Sequence, residues 1–414
     1  MKILFITYSF PPIGGGGVPR SLKFIKYLPK SGIEPIVLCC DPETSRFPLD
    51  HSRLVDVKKN LKIHYAKDIL DYPKWMKDHR LKIIYDSLLK FPDEGVNWAK
   101  DAIKIGKEII ESESINLIFS SAPFISAHLV GMTLKKEYSL PWIADFRDAW
   151  SSVEGETYFL TPYHLYKAKR YKKELLVNAD HIIHINNWYI NKLKALYPKL
   201  IDNKYSLLPN GYDESDYKDY TNLKVRDKDK LVITYSGTIN RWRTLKYFIK
   251  AVKTYTLKND ISDIKINIYT GRESASKILI TKYAGNKNKL FNVYGLIGFK
   301  DLLDIWKNSD ILLLLIKNKG GLGVHTGKLF EYLRAKKIIL ALVPNKGEAA
   351  KILRESNHNH ICDINDERMI IRELDIIYHN WKNNKVIEDI KVNSIYSREN
   401  LSIRLGKIIR SIIE

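Results

Sequence analysis

The feature that most constrains the fold of this chain is a series of short, predominantly apolar runs separated by segments long enough for a helix. The purest run, at 311–316, reads Ile-Leu-Leu-Leu-Leu-Ile and is typical of a parallel strand buried on both faces. Related runs form two successive series, at 2–8, 36–40, 115–120, 142–144, 181–185 and 205–208, then at 231–237, 264–269, 291–294 and 338–343. The two series predict an α/β fold of two doubly wound Rossmann-like domains that face each other across a cleft and bind ligands at the carboxyl ends of their strands.

A change of composition between the two series predicts the domain boundaries. Residues 213–230 are rich in Asp, Tyr, Lys and Asn and poor in aliphatic side chains, as expected of an interdomain linker. We predict an amino-terminal domain at 1–212, this linker, a carboxyl-terminal domain at 231–385, and a helical segment at 386–414 that crosses back to the amino-terminal domain. The apolar side chains of that last segment repeat at helical spacing: Leu401, Leu405, Ile408, Ile409 and Ile412.

The stretch 43–100 interrupts the alternation. It is highly charged and has scattered aromatic residues instead of clear apolar runs, so we predict an elaboration at the rim of the first domain. Its aromatic residues include Tyr72, Trp75, Tyr85, Phe91 and Trp98.

The composition is that of an ordinary globular protein. Apolar residues make up 45% of the 414 positions and charged residues 28%, which argues against extended disorder. The apolar runs are far shorter than the ~20 residues of a membrane-spanning helix. The amino terminus leads into a strand and does not resemble a secretory signal, so we expect a soluble, cytoplasmic protein. Cys39, Cys40 and Cys362 lack disulfide or zinc spacing and are expected to be packed thiols.

The formal charge of +21 indicates an anionic partner. Much of it comes from lysine clusters such as 167–173, Lys-Ala-Lys-Arg-Tyr-Lys-Lys. The excess fits anionic lipid headgroups or nucleic acid, but a genome biased toward lysine and isoleucine would produce it equally well. The sequence contains no standard nucleic-acid-binding module, so we expect no nucleic-acid partner, and a nucleic-acid-binding protein is kept only as a distant alternative.

The turn after the 311–316 run is the first candidate binding site. A helix can begin directly after it, and backbone N–H groups in a flexible turn and at a helix start can bind a diphosphate. Lys328 and Glu331 share one face of that helix, where a cation could contact phosphate oxygens and a carboxylate could accept from a sugar hydroxyl. The glycines of the turn are Gly320, Gly321, Gly323 and Gly327.

A simpler interpretation of this segment also stays open. Lys328 and Glu331 could form an ordinary ion pair on the helix surface. A capping box involving Glu331 is weak, because Thr326 as N-cap would place the partner at Leu329.

The turn at 11–17, Pro-Pro-Ile-Gly-Gly-Gly-Gly, is a second candidate phosphate site. It superficially resembles a dinucleotide-binding fingerprint, with Gly14 and Gly16 in place and Asp41 further on. The match is poor, because Pro19 stands where the third glycine belongs.

Taken together, these motifs resemble the GT-B retaining glycosyltransferases of the family often called group 1 or family 4, over nearly the whole chain. The opening 8–12, Tyr-Ser-Phe-Pro-Pro, with Gly14 to Gly17 and Arg20, is similar to the family's amino-terminal glycine-rich loop. The segment 208–213, Leu-Pro-Asn-Gly-Tyr-Asp, resembles the one before its linker, and 235–238, Tyr-Ser-Gly-Thr, its first carboxyl-domain strand. The segment 327–333, Gly-Lys-Leu-Phe-Glu-Tyr-Leu, resembles its donor-site helix.

The resemblance implies a nucleotide-sugar donor site. Arg243 and Lys328 would be catalytic, holding the donor diphosphate and stabilising it as it leaves, and Glu331 would bind the ribose. Arg243 stands six positions after Gly237, where the family more often has lysine; arginine keeps the charge and can bind two oxygens. The other donor-side residues implied are Gly16, Gly17, Gly237 and Thr238, then Tyr294 and Gly295 near the base, the backbone of Leu322, Gly323, Val324, His325 and Thr326, and Leu329.

The chain departs from the family pattern at two places. Many members have a glutamate where Gly323 stands, eight positions before Glu331, and many have a histidine where Arg147 stands. Arg147 cannot act as a general base. A subset of the family resembles the 145–148 sequence Asp-Phe-Arg-Asp, which implies that Arg20, Asp145 and Arg147 are acceptor-side residues. The alternative for Asp145 and Arg147 is a buried ion pair at a strand end.

The implied activity is transfer of a sugar, with retention, to a glycan or lipid-linked acceptor in cell-surface polysaccharide synthesis, with docking on the inner membrane face. The implied mechanism is front-face substitution in which the donor phosphate accepts the acceptor proton. No cofactor and no essential metal are expected, because the acidic pair Asp227 and Asp229 lies in the polar linker. A nucleotide-sugar 2-epimerase or hydrolase of the same fold is the main alternative.

Overall fold

A computed structural model describes residues 1–69, 90–147, 162–201, 204–218, 220, 229–240, 243–285, 289–383 and 390–414. Several residues named above lie outside the described part of the chain: Tyr72, Trp75, Tyr85, Asp148 and Asp227. The described chain divides into two compact units. Unit 1 comprises Met1–Gly211 and Ile395–Glu414, and unit 2 comprises Tyr212–Ser394.

Unit 1 is built on a parallel sheet whose described strands run in the order β3-β2-β1-β4-β5-β6-β7. The strands are β1 Lys2–Thr7, β2 Glu34–Cys40, β3 Ile63–Ala66, β4 Ile115–Ser121, β5 Trp142–Phe146, β6 His181–His184 and β7 Tyr205–Leu207. The helices are α1 Val18–Tyr27, α2 Val96–Ser112, α3 Ser126–Tyr138, α4 Pro162–Asn178, α5 Asn187–Leu196, α6 Pro198–Ile201 and, at the carboxyl terminus, α13 Arg398–Ile413.

Unit 2 repeats the pattern, with described strands in the order β10-β9-β8-β11-β12-β13, all parallel. The strands are β8 Leu231–Ser236, β9 Ile264–Tyr269, β10 Phe291–Tyr294, β11 Ile311–Leu315, β12 Ile338–Leu342 and β13 Ile361–Cys362. The helices are α7 Lys246–Lys258, α8 Glu273–Ala284, α9 Phe299–Lys307, α10 Gly327–Arg334, α11 Glu348–Glu355 and α12 Glu367–Lys382.

The predicted α/β fold class is confirmed, since both units are parallel sheets whose strands alternate with helices along the chain. Every residue of β11 is buried, as expected of a strand covered on both faces. In each sheet the strand order reverses at the first strand: β1 lies between β2 and β4, and β8 lies between β9 and β11. Folds of this kind bind ligands at the carboxyl ends of the strands at this point.

Strand β3 is a difference from the prediction for 43–100. It lies at the edge of the sheet, where one side of a strand needs no partner, and its Ile-His-Tyr-Ala sequence carries no continuous apolar run. The stretch 43–100 therefore contributes to the sheet as well as to the rim.

The carboxyl-terminal helix α13 packs against α1 within unit 1. Leu401, Leu405 and Ile409 are fully buried, as their spacing predicted. At Gly406, helix α13 lies so close to the segment containing Ser31 that a Cβ would lie 2.8 Å from Ser31 Cβ.

Part of the predicted linker is folded in unit 2. Glu214–Tyr217 forms a short 3-10 helix, and the buried Tyr217 hydroxyl donates to the Glu331 carbonyl at 3.0 Å. Cys39, Cys40 and Cys362 are buried free thiols, as predicted. Among the described helices, none has the length and apolar character needed to cross a bilayer.

Candidate functional site

The turn between β11 and α10 adopts a conformation that requires glycine at two positions. Gly320 has a φ of 71°, and a Cβ at Gly321 would overlap the Lys317 carbonyl oxygen. Thr326 is the N-cap of α10, but its hydroxyl makes no capping hydrogen bond. The start of α10 therefore lacks a hydrogen bond from its N-cap side chain, and a helix start favours a negatively charged ligand.

Lys328, in the first turn of α10, reaches back to the end of β8. Its ammonium donates to the Ser236 carbonyl oxygen. Gly237 has a φ of 152°, and a Cβ there would collide with the Lys328 Nζ. The strand glycine therefore provides the space in which the ammonium lies.

Lys328, Arg243 and Glu331 interact electrostatically. Burial, together with the neighbouring Arg243 cation, lowers the pKa of Lys328 to about 8, although the Glu331 carboxylate acts in the opposite direction. The structure thus brings together the three charged residues that were predicted to contact the donor. An anion between the two cations would relieve their repulsion.

Buried polar atoms near this cluster have no hydrogen-bond partner among the described residues. They are Arg243 Nε, on the loop after β8, Asn318 Oδ1, in the turn after β11, and Thr326 Oγ1 at the N-cap. Buried polar atoms are normally paired. Their arrangement around the ends of β8 and β11 is suited to a polar ligand.

The predicted base-side residues lie at the ends of β9 and β10. The Tyr294 side chain is exposed, and its ring stacks on Tyr269, with centroids 4.7 Å apart and planes 16° apart. At Gly295 a Cβ would come within 2.8 Å of Glu273 Oε1, so this position has little room for a side chain. The paired rings offer a flat apolar surface at the same edge of the sheet as Lys328.

The remaining donor-side residues differ in what they can offer. Leu322 and Thr238 are exposed, Val324 is partly exposed, and Gly323 is buried. The His325 ring is buried edge-on against Phe330, and the Leu329 side chain is fully buried, so both could contribute to a ligand site through their backbone.

Ser236 and Tyr217 support the site and were not predicted. The Ser236 hydroxyl lies 3.0 Å from the Tyr332 hydroxyl and accepts from Trp306 Nε1 at 3.3 Å, which fixes the residue whose carbonyl binds Lys328. Tyr217 holds the Glu331 backbone. The signals for Ser236 were its place at a strand end and in the 235–238 motif, and Tyr217 had none.

Because only the protonated Lys328 attracts an anion, binding of a diphosphate should depend on pH. With a pKa of about 8, most of the lysine is charged at neutral pH, and affinity for inorganic pyrophosphate should fall by roughly tenfold at one pH unit above the pKa. The bound anion favours the charged form, so binding near pH 8 should also take up a proton. Calorimetric titrations at several pH values in two buffers of different ionisation enthalpy measure both effects. A flat pH profile for the wild type, or the same profile in Lys328→Ala, would contradict this assignment.

In unit 1, Arg147 holds the glycine-rich loop that precedes α1. Its guanidinium donates to the carbonyl oxygens of Gly17 at 2.8 Å, Gly16 at 3.3 Å and Ala122 at 3.3 Å. Arg147 therefore fixes the loop after β1 to the loop after β4.

Asp145 forms a buried ion pair with Arg20, and the Arg147 cation also acts on its carboxylate electrostatically. The Arg20 guanidinium donates to both carboxylate oxygens, at 2.8 and 2.7 Å, and the Ser121 hydroxyl donates at 2.8 Å. Burial opposes the charged form, yet Arg20 and these hydrogen bonds lower the pKa of Asp145 overall. Both side chains of the pair are fully buried, so their acceptor-side role, which stays a prediction, would be indirect, through the Ser121 and Pro209 segments that they hold.

Two adjacent glycines of this loop should respond differently to alanine. At Gly17 a Cβ would lie 2.8 Å from Arg147 Nη1 and 3.2 Å from Pro123 Cδ, whereas at Gly16 nothing described lies within 4 Å. We expect Gly17→Ala to destabilise the protein by about 1–3 kcal/mol and Gly16→Ala to be close to neutral. Thermal unfolding of the two variants tests this, and equal melting temperatures would contradict it.

Comparison with known proteins links the chain to glycosyltransferases. No protein-family model matches it. A curated relative, an uncharacterised glycosyltransferase from Methanocaldococcus jannaschii, is 28% identical over 190 residues, which cover 42% of this chain. The match spans about half of that relative, 47% of its length.

Solved structures match the chain over nearly its full length. Sucrose-phosphate synthase from Thermosynechococcus elongatus is 13% identical with a TM-score of 0.64, covering 99% of this chain and 98% of its own. HepE from Anabaena, solved with UDP and glucose, is 12% identical with a TM-score of 0.61, covering 100% and 97%. The UDP-GlcNAc 2-epimerase from Neisseria meningitidis, bound to UDP-GlcNAc, is 12% identical with a TM-score of 0.58, covering 99% and 100%. The chain therefore has a GT-B-like fold, which glycosyltransferases share with epimerases.

Proposed function

We propose that this protein is a glycosyltransferase that moves a sugar from a nucleotide-sugar donor to a glycan or lipid-linked acceptor. The observation that carries the proposal is the Lys328 ammonium, held on the Ser236 carbonyl with Arg243 and Glu331 nearby at the start of α10. A nucleoside diphosphate is the ligand that matches this set: two cations for its phosphates, a carboxylate for its ribose hydroxyls and a helix start for its charge. The glycosyltransferase relative and the fold support the same assignment.

The proposed reaction exchanges one bond at the anomeric carbon. The acceptor oxygen forms a bond to the anomeric carbon while the bond between that carbon and the donor phosphate oxygen breaks. The departing phosphate takes the acceptor proton. Negative charge grows on the diphosphate as it leaves, so Arg243 and Lys328 would stabilise the transition state more than the ground state. We propose retention, which the family resemblance implies, and front-face substitution as its route, because the site motifs contain no carboxylate pair of the glycosidase type.

The two fixed cations also support our proposal that no metal is essential, since they supply positive charge where a divalent cation would act. Titrating the enzyme with a chelator tests this point, and loss of transfer that a divalent cation restores would contradict it. We assign the acceptor to unit 1, where Arg147 holds the glycine-rich loop.

The proposed setting is cell-surface polysaccharide synthesis at the inner face of the plasma membrane. The net charge of +21 supports an anionic membrane as partner.

A thermal-shift panel tests the donor site. UDP, GDP, ADP and their sugars are compared on the wild type and on Glu331→Ala. We expect one nucleotide family to stabilise the wild type, and the substitution to weaken its binding by about tenfold or more, because a hydrogen bond to a charged group is lost. If no nucleotide or nucleotide sugar raises the melting temperature of the wild type, the proposed donor site is contradicted.

A 2-epimerase or hydrolase is the second candidate, favoured by the likeness to UDP-GlcNAc 2-epimerase. Such an enzyme would convert the donor without an acceptor. Product analysis with donor alone separates the two, because a transferase should release nucleotide at a substantial rate only when an acceptor is present.

A further inference from the structure

A surface strip of unit 1, residues 47–62, combines exposed apolar side chains with cations and has no part in the donor chemistry. Phe47, Leu49, Leu54 and Val55 are all exposed, and Val55 is 88% exposed. This strip is distinct from the lysine cluster of α4 that stands out in the sequence.

The local fold presents these apolar groups to solvent. Leu54 and Val55 belong to a 3-10 helix, His51–Asp56, in which no residue is buried. Asp50 caps this helix, since its Oδ1 accepts from the Ser52 N–H at 3.0 Å. The helix is tied to α1 by Asp56, whose carboxylate pairs with Lys23 at 2.8 Å and with Lys26 at 2.6 Å.

These contacts also determine which charged side chains of the strip are free to bind a partner. Its two carboxylates, Asp50 and Asp56, are both engaged within the protein. Lys58 and Lys59 follow directly, are exposed, and have no acidic partner among the described residues. Aliphatic groups beside uncompensated lysines therefore form the outer surface.

We infer that the 47–62 strip docks unit 1 on an anionic lipid bilayer. Leu54 and Val55 would enter the boundary between headgroups and acyl chains, while Lys58 and Lys59 contact anionic headgroups. The lysines supply charge complementarity to such a surface. A nucleic acid would satisfy the lysines but would leave the aliphatic groups in water.

The strip is continuous with the glycine-rich loop held by Arg147. Leu49 forms an antiparallel bridge with Ile13, and the Gly14 N–H donates to the Pro48 carbonyl at 2.9 Å. The Phe47 ring packs near Phe124, with centroids 5.8 Å apart. If unit 1 binds the acceptor, as the proposed function states, docking would bring this loop to a membrane-held acceptor; the docking itself does not depend on the transfer activity.

Flotation of the full chain with vesicles tests the inference. We expect binding to phosphatidylglycerol-containing vesicles at low salt, weaker binding at high salt, and little binding to pure phosphatidylcholine. Lys58→Gln/Lys59→Gln should lower the partition coefficient about 25-fold, at roughly fivefold per lysine. Leu54→Ser/Val55→Ser should lower it by about tenfold or more. None of these side chains is buried, so the variants should fold, which their melting temperatures check.

Two control variants make the result decisive. Leu257→Ser/Ile278→Ser removes equally exposed aliphatic groups from unit 2 and should bind vesicles like the wild type. Tyr163→Ser/Tyr166→Ser removes exposed aromatic groups of α4. The inference is overturned if the wild type does not bind anionic vesicles, or if only the α4 variant loses binding. Nucleotide thermal shifts on the same samples report separately on the proposed function.

Discussion

Replacing Lys328 with alanine is expected to lower kcat by about a thousandfold, roughly the effect of removing one preorganised charge from a developing anion. Lys328 contacts the Ser236 carbonyl and lies in the space left by Gly237, so its ammonium is held in place before any ligand binds. A charge that needs no reorganisation during the reaction contributes most to the rate. Steady-state kinetics with the donor identified by the thermal-shift panel measure the loss.

Lys300→Ala is the matched control, because it removes an exposed lysine of α9 in the same unit. Its kcat should stay within about twofold of the wild type, as for most surface substitutions. If Lys328→Ala kept about a tenth of the wild-type kcat or more, the lysine would not be positioned at the leaving group.

Removing one partner of the Arg20–Asp145 pair is expected to produce the largest loss of stability in unit 1. In Arg20→Met the Asp145 carboxylate stays fully buried with the Ser121 hydroxyl as its remaining side-chain donor. An unpaired buried charge typically costs about 3–5 kcal/mol. Asp145→Leu should be similarly destabilised, because the buried Arg20 guanidinium then loses its carboxylate and keeps the Pro209 carbonyl as a neutral acceptor.

The double variant Arg20→Met/Asp145→Leu should be more stable than the sum of the single losses predicts, since it leaves no unpaired charge. Urea unfolding followed by tryptophan fluorescence gives the three free energies of unfolding. A loss below about 1 kcal/mol in Arg20→Met, combined with a raised KM for the acceptor, would instead point to direct contact with the acceptor.

The sequence predicted the sheets well because buried parallel strands need continuous apolar runs. The continuous run at 311–316 differs from β11 by one residue, and the alternating segments at 264–269 and 291–294 coincide with β9 and β10. Strands β3 and β13 were not predicted, because β3 has a mixed polar sequence and β13 is only two residues long. Edge strands and very short strands show too little hydrophobic periodicity to be predicted from the sequence.

The site was predictable only in part. The motif at 327–333 led to Lys328 and Glu331, and the resemblance to the family pattern, which has a basic residue six positions after the strand glycine, led to Arg243. The Ser236 contact of Lys328 spans 92 positions of the chain, and no local pattern encodes such a contact. The same reason explains why Asp145 was considered with its neighbour Arg147 when its partner, Arg20, lies 125 positions away.

The central claim is that a nucleoside diphosphate binds at Lys328, Arg243 and Glu331. Its most direct test is calorimetric titration of UDP, GDP and ADP into the wild type, Lys328→Ala and Lys300→Ala. We predict saturable binding of one of them to the wild type and to Lys300→Ala, and an affinity lowered by about 10- to 100-fold in Lys328→Ala. Equal affinity in all three proteins, or no binding of any nucleotide to the wild type, would contradict the claim.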